Sequence, residues 1–435
     1  MDHFNSAILA SAGTISRRAD YYAHNNPHAK SGVAAIVANT VGTGIKPQSQ
    51  HPSEKFRETV HRQWLTWTDR ADADGLTDFY GFQALVTKTM VVHGEAFVRL
   101  LVRPVSGKPT PQLQLIHPDQ VDRALSRDLG AGRRIVGGIE FDADNRRLAY
   151  HVFKQRPGDP FATSFETIRV PAADMVHVFD PVAPGQVRGV SWLSAVLLRL
   201  HEIDGLEDAQ LMRQRIAAMF AGFITDLEGG AGGFDGTQTG SVLESGLEPG
   251  TLKVLPPGTD IKFSDPAEVG DTAEFLKSQL RAVAAGLGVT YEQLTGDLSG
   301  VNYSSIRAGL VEFRRRIEAL QHHVLVFQFC RPVWERFVRM QVLSGALQAP
   351  GFERDESPYL AVKWIAPGWE WVDPLKDAQA AIAEIEAGIR SRAEVVNGRG
   401  YDVEALDAEI AADKARAERL GLKFGASAKP GGENA

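Results

Sequence analysis

The chain has 435 residues, 43% of them hydrophobic and 23% charged, with a formal net charge of −7 at pH 7 and one cysteine, Cys330. That length holds roughly two to four packed units in a composition ordinary for a globular protein. A lone cysteine excludes an internal disulfide and a cysteine-built zinc site within one chain, and no apolar run approaches the roughly 20 residues of a transmembrane helix. The acidic balance fits a protein that ignores nucleic acid, or one that surrounds it without gripping its phosphates. The opening, Met1 to Asn5, has no basic segment leading into an apolar one, so no secretory signal is expected, and the lone cysteine fits synthesis in a reducing compartment.

In chain order, residues 1 to 30 are polar and mixed and read as a short helical or irregular arm. Ser31 to Thr40 carries Ala34, Ala35, Ile36 and Val37 and stops at Gly42 and Gly44 with Pro47 beyond, the pattern of a helix and its end. Helical spacing recurs around Glu54 to Trp67 and Gly81 to His93. From about Glu95 to Asp180 the period shortens. Ala96 to Val102, Leu113 to Ile116, Gly138 to Phe141, Ala149 to Phe153 and Met175 to Phe179 are β-branched or aromatic and separated by Gly, Pro and Asp. An α+β unit with an antiparallel sheet is expected, with Ile139 to Phe153 one hairpin turning at Asp142 to Arg146.

Helix returns from Gly189 to Phe220, where Leu193, Val196, Leu197, Leu200 and Ile203 form one stripe beside the carboxylates Glu202, Asp204, Glu207 and Asp208. Gly229 to Gly233, then Thr251 to Leu255 and Ile261 to Phe263 joined across Pro256 to Gly258, describe a small β insertion over residues 222–266. Asp271 to Glu274 is a capping-box variant that opens a helix bearing Leu276, Leu280, Val283 and Leu287. Thr295 to Asn302 is a polar loop with two glycines, longer than an interhelical turn requires. Beyond it Ile306, Leu310, Phe313, Ile317, Leu320, Val324 and Phe327 alternate steps of four and three over about thirty residues, or roughly 45 Å of helix. Pro332 is expected to kink or end that helix. Trp364 to Pro374 is a connector, Leu375 to Leu422 gives two or three Ala/Glu-rich helices turning at Asn397 to Gly400, and residues from Gly425 form a frayed tail.

Motifs of catalysis do not assemble. Gly42 to Gly44 is too short for a dinucleotide fingerprint and follows a helix, no P-loop is present, and Gly189 to Leu193 is not a nucleophile elbow. Asp142, Asp144 and Asn145 lack the glycine and terminal glutamate of a calcium loop and read as a hairpin turn. Adjacent His322 and His323 point about 100° apart on a helix and cannot chelate one metal. His117, His151 and His177 fall on strands as core or half-buried residues, and Cys330 as a small buried hydrophobe. Trp192, Trp364, Trp369 and Trp371 could stack bases, but packing is their simpler use. Glu202, Asp204, Glu207 and Asp208 by themselves read as a solvated helix face. Arg307, Arg314, Arg315 and Arg316 form a basic belt that fans around its helix, suited to intersubunit salt bridges or, alternatively, to phosphate contact. Neither a catalytic residue, a metal nor a cofactor is expected.

Gly286 to Asp297, continuing through Asn302 to Ser305, resembles the tunnel-loop signature of lambda-family portal proteins of tailed phages. Arg17 to Asp20 with Asn39 to Pro47 is similar to that family's opening, and His177 to Phe179 with Pro184 to Trp192 to its segment before the first stem helix. Trp371 to Pro374, with Ala380 and Gly388, resembles its approach to the crown. The resemblance implies a portal fold of the α+β class. Its parts would be an N-terminal arm (1–30), a wing (31–189), a first stem helix (190–222), a clip (223–266) and a second stem helix (267–288). The tunnel loop (289–303), a long helix returning to the wing (304–340), a wing connector (341–374) and crown helices with a tail (375–435) would follow.

The same resemblance implies a ring of about twelve copies at one capsid vertex, assembled in the bacterial host cytoplasm and resident in the virion, with no membrane. Double-stranded DNA would pass through it without sequence readout. Partners would be the terminase large subunit, which would supply the ATPase, then a head-completion or tail adaptor, with the major capsid and scaffold proteins around the ring. Glu202, Asp204, Glu207 and Asp208 would give the stem a non-adhesive wall. Thr295, Gly296, Asp297, Leu298, Ser299, Gly300, Val301 and Asn302 would face the DNA. Two alternatives stand beside this reading: a smaller head–tail adaptor ring, which would lack the long helix and crown, and a nucleic-acid-processing enzyme, which would need a metal or nucleophile constellation.

Overall fold

The computed structural model describes residues 4–105, 107–218, 222–226, 237–239, 242–244, 259–263, 272–300, 303–369 and 374–422. The chain forms two compact units, one of Met1–Ala195 with Ala284–Ala435 and the other of Val196–Val283.

The larger unit opens with helices α1 (Phe4–Asn25) and α2 (Pro27–Val41), so the expected arm over residues 1–30 is regular helix for most of its length. Its buried stripe of Ile8, Ala12, Ser16, Ala19, Tyr22 and Ala23 is small and only weakly apolar, which hides the helical period in the sequence. Asn26 divides the helices: its side chain accepts the Ala29 N–H at 2.9 Å, and Pro27 stands in the first turn, where a missing N–H breaks no bond. Strand β1 (Lys46–Ser49) and helices α3 (Glu54–Thr68) and α4 (Phe79–His93) follow, the helices capped by the side chains of Ser53 and Asp78. Trp64 and Trp67 pack against Phe79 and Phe337 with ring centroids 5.1–5.4 Å apart.

Strands β2 (Glu95–Val105), β3 (Lys108–Ile116), β4 (Arg127–Gly130), β5 (Arg133–Val136), β6 (Ile139–Phe141), β7 (Arg147–Phe153), β8 (Thr167–Pro171) and β9 (Met175–Phe179) build two antiparallel sheets, ordered β3-β2-β9 and β4-β5-β6-β7-β8. Every expected strand of this stretch is present, and β6–β7 is the expected hairpin. At its turn the Asp142 carboxylate accepts the N–H groups of Asp144 and Arg146, and Asn145 takes a φ of 64°. Strands β4 and β5 are four residues long with one or two apolar residues each, and in β8 only Ile168-Arg169-Val170 alternates, too short a pattern to announce a strand. Phe97, Ile116, Val121, Ile139, Phe141, Tyr150, Val152, Val170 and Met175 from both sheets share one core. A 3₁₀ turn over Trp192–Ala195 ends this stretch.

In the smaller unit α5 (Leu197–Ala218) is regular helix over a shorter span than the 190–222 expected of the first stem. Strands β10 (Gly222–Asp226) and β13 (Thr259–Phe263) pair antiparallel, as do β11 (Thr237–Thr239) and β12 (Val242–Glu244). A β insertion therefore lies where it was expected. Ile261–Phe263 takes Gly222–Ile224 as its partner, whereas Thr251 to Gly258 and Gly229 to Gly233 lie outside the described residues. Helix α6 (Thr272–Leu287) carries Leu280 and Val283 buried, and Gln279 on it accepts a hydrogen bond from Arg199 of α5; Asp271, the expected cap, is outside the described residues.

The larger unit resumes with α7 (Tyr291–Thr295), α8 (Tyr303–Leu320), a π-helical segment (Gln321–Cys330) and α9 (Arg331–Leu343), of which the last three run without a break. The expected stripe fails at its last position. The Arg331 N–H reaches back five residues to the Val326 carbonyl, and the widened turn swings the buried face to Val324, Val326, Phe329 and Cys330. Phe327 is left 62% exposed. Pro332 does not end the helix either: it sits in the first turn of α9, and the π segment upstream absorbs its missing N–H and bulky ring. Helix α10 (Ser357–Leu360) and strand β14 (Val362–Ile365), antiparallel to β1, lead to α11 (Pro374–Glu386), α12 (Arg392–Gly398) and α13 (Val403–Leu420).

Candidate functional site

The candidate site is the segment between α6 and α8. Gly288 ends α6 at φ 77°, with its N–H on the Ala284 carbonyl at 2.8 Å. Thr290 and Gln293 then form a reciprocal capping box, with N–H to side-chain distances of 3.2 and 3.0 Å, that starts α7; Gly296, at φ 73°, closes it. The loop expected from Thr295 onward therefore begins as the last residue of a short helix. That helix is rooted in α2. Leu294 is buried, Ser31 Oγ donates to the Gln293 carbonyl at 2.9 Å, and Gly32 makes room, since a Cβ there would lie 2.8 Å from Leu287 and 3.1 Å from Leu294.

Past Gly296 the polar side chains bind one another. Asp297 Oδ1 accepts the Ser299 N–H at 2.9 Å and the Ser299 hydroxyl at 2.6 Å, and Oδ2 accepts the Tyr291 hydroxyl at 3.2 Å. The Asp297 N–H donates to Thr295 Oγ1 at 3.1 Å. Asp297 and Ser299 thus hold the turn closed; Leu298, 64% exposed, is the apolar side chain at its tip, beside the exposed Ser299. Val301 and Asn302 lie outside the described residues.

The basic belt on α8 fans out as its spacing requires. Arg314 stacks over Trp369 at 5.2 Å, whose indole N–H donates to Glu318 at 3.0 Å. Arg315 pairs with Glu312 at 3.0 Å on an exposed face, a contact worth less than about 1 kcal/mol. Arg316 lies over Gly288, where a Cβ would come 2.1 Å from its guanidinium, so its charge meets the carboxyl end of α6. Arg307 is exposed. The carboxylates of α5 are also split. At about 100° per residue Asp204, Glu207 and Asp208 share a side and Glu202 lies opposite; Asp204 and Glu207 are half-buried, Glu202 and Asp208 exposed.

Sequence reasoning missed the most heavily engaged carboxylate. Glu95 is fully buried and accepts from Arg188 (Nη2 at 2.7 Å, Nε at 2.9 Å), Arg123 (3.2 Å), His177 (3.0 Å) and the Gly189 N–H (2.9 Å). Burial pushes its pKa up, but the Arg188 charge and the His177 hydrogen bond outweigh that and hold it well below the usual carboxylate range. Arg188 also donates to the carbonyls of Gly137 (2.6 Å) and Pro118 (3.2 Å), tying three loops to one strand. Burial lowers His177 to about 4, so the ring is neutral and donates through Nε2, while Nδ1 faces no partner. The only signal in the sequence is a lone charge amid apolar residues at each place, Glu95 before Ala96 to Val98 and Arg188 after Val187.

Among the described residues no group of three or more His, Cys, Asp or Glu is placed to hold a metal, and no helix is long and apolar enough to cross a membrane. Cys330 is fully buried, and burial raises its thiol pKa far above the ordinary value, as befits a packing residue. Trp364 is buried; Trp371 lies outside the described residues.

The loop, the β insertion between two helices and the long helix together have the makings of a portal subunit, and comparison with known proteins bears on that class. The profile of the family described as phage portal protein, lambda family, matches residues 2–321. The probable portal protein of Halomonas phage phiHAP-1 is 29% identical over 94% of this chain and 81% of its own length. Portal protein B of Escherichia phage lambda is 25% identical over 96% of this chain and 86% of its own. Among solved structures, a chain in the neck of an empty gene transfer agent particle shares the fold, with a TM-score of 0.50 and 14% identity over 95% of this chain and 94% of that one. The chain belongs to the lambda family of phage portal proteins. The family name denotes a structural component of the phage.

Proposed function

We propose that this chain is the subunit of a ring-shaped channel at one capsid vertex, through which double-stranded DNA enters during packaging and leaves at ejection. The match of the family profile to residues 2–321 carries this reading, supported by a tunnel-loop segment that stands between two helices on a capped, buried root. About twelve copies would close the ring. The wing would span residues 31–189, the stem helices 190–222 and 267–288, the clip 223–266 and the crown 375–435. The clip would dock the terminase large subunit, the source of ATP hydrolysis, and later a head-completion or tail adaptor. Capsid and scaffold proteins would surround the ring as it assembles in the host cytoplasm.

In this reading the tunnel loop touches DNA through Leu298 and the glycine-flanked backbone, while Asp297 and Ser299 keep the turn folded. An apolar tip suits a channel that must not hold phosphates. The test replaces Thr295 to Asn302 by a short flexible linker and follows ring formation and DNA filling separately. Intact rings with impaired packaging or retention are expected, and normal filling and retention would contradict the assignment.

A further inference from the structure

We propose that the outer face of the five-stranded sheet, with the loop between β7 and β8, is a contact surface for a second copy of this chain, which meets it with carboxylates. The proposal rests on the ring reading above and assigns one side of the subunit contact to named residues. Register fixes what the face displays. Ile139, Tyr150, Val152 and Val170 turn into the core, so Arg133, Ile135, Glu140, Ala149, His151 and Arg169 alternate onto the opposite face, where Ile135, Glu140 and Ala149 are buried and the arginines form the exposed surface. Arg127 joins them, since it pairs with Ile135.

Glu140 is only 3% exposed because Arg133 (2.6 Å) and Arg169 (2.7 Å) close over its two oxygens, with His151 at 3.6 Å. Both arginines stay about half exposed, at 50% and 49%, each with one nitrogen on Glu140 and the rest of its fork turned outward. Three arginines against one carboxylate make this face positive in a chain whose net charge is −7. The other end of the face is aromatic. Phe153 holds Phe165 at 6.3 Å, and Phe165 and Phe161 are 75% and 83% exposed on the following loop.

Exposed phenylalanines beside pre-set arginines are the composition of a protein contact, in which aromatic residues and arginine are enriched. A duplex gripped by its phosphates is met by cations and hydrogen-bond donors, to which two exposed phenylalanines add nothing. With this face positive, the rest of the surface of so acidic a chain is more negative still. A ring built head to tail joins two unlike faces of each subunit, so a neighbouring copy supplies the complementary charge.

Native mass spectrometry of the purified full chain tests this with Phe161→Asp/Phe165→Asp and Arg127→Glu. None of the three touches Glu140 and both phenylalanines are mostly exposed, so little change in stability is expected, which thermal melting checks. Arg133 and Arg169 are avoided because either change also removes a partner of Glu140, which would mix an effect on the cluster with one on the contact. Expected are rings for the unaltered chain that weaken at raised salt. The phenylalanine pair should lose at least about tenfold in assembly and Arg127→Glu less, both with unchanged melting. Undiminished rings in both variants overturn the inference while the ring reading stands, and so does loss of capsid entry or DNA binding with rings intact, which would give the face to another protein or to DNA. An unaltered chain that forms no ring overturns both.

Discussion

Two carboxylates in the larger unit have the same company and opposite uses. Glu95 and Glu140 each gather two arginines and a histidine: Arg188, Arg123 and His177 around the first, Arg169, Arg133 and His151 around the second. Around Glu95 the partner Arg188 is 1% exposed and spends its remaining donors on backbone carbonyls. Around Glu140 the arginines keep half their surface in water. A sealed cluster fixes backbone segments to one another; an open one holds arginines ready for something outside. Both carboxylates lie on the central strand of their sheet, so the difference is set by what covers them: the backbone at Pro118, Val121, Gly137 and Gly189 closes around the Glu95–Arg188 pair, whereas half-exposed arginine side chains lie over Glu140.

The comparison breaks if the two clusters tolerate loss of a partner equally. Arg188→Ala strands a buried charge and should cost about 3–5 kcal/mol or abolish folding, read by denaturant unfolding. The acid limb separates them next. His177 resists protonation when folded, at about 4 against an ordinary 6.5, so its stabilisation is complete above pH 6.5 and is lost as pH falls toward 4. The slope is about 1.4 kcal/mol per pH unit for that group. His117, driven to about 4 by burial and then by His93, adds a second proton over the same window, and burial lowers His93 and His151 as well, so His177→Gln should make the acid limb shallower without abolishing it.

Glu140 is brought to about 2, chiefly by the Arg169 hydrogen bond. Its contribution is intact above pH 4.5 and disappears only as pH falls through about 2. Gly189→Ala sharpens the point about sealing, because a Cβ there would lie 2.0 Å from the Gly94 carbonyl oxygen; about 1–3 kcal/mol of destabilisation is expected in a thermal melt. Arg169→Ala, at the open cluster, should cost only about 1 kcal/mol. Smallest in global terms is Asp297→Ala, which should leave melting unchanged and speed hydrogen exchange from Asp297 to Gly300 alone; unaltered exchange would show that the Asp297 bonds do not hold the turn.

How much of this the sequence carried depends on the range of the forces involved. Local signals were readable: the Gly42 stop of α2, the β6–β7 hairpin at Asp142, the alternating strands, and the C-terminal helices, expected as two or three and found as three, with the turn at Asn397 to Gly400. The strands β4, β5 and β8 escaped because each is only four or five residues long, with one or two large apolar residues to set a period. The face shift at Phe327 escaped because a π segment leaves no mark in a pattern of apolar residues. At the candidate site the motif located the loop, yet not the direction of its side chains. That Asp297 folds inward onto Ser299 and Tyr291 depends on short hydrogen bonds, whereas the pairing of Glu95 with Arg188 spans 93 positions and has no local signature at all.

The central claim is that copies of this chain close into a channel, and the most direct test is the mass and symmetry of the purified protein, by native mass spectrometry with negative-stain class averages. The account predicts a closed ring of about a dozen subunits around an open centre. A compact dimer or tetramer without a hole would contradict it.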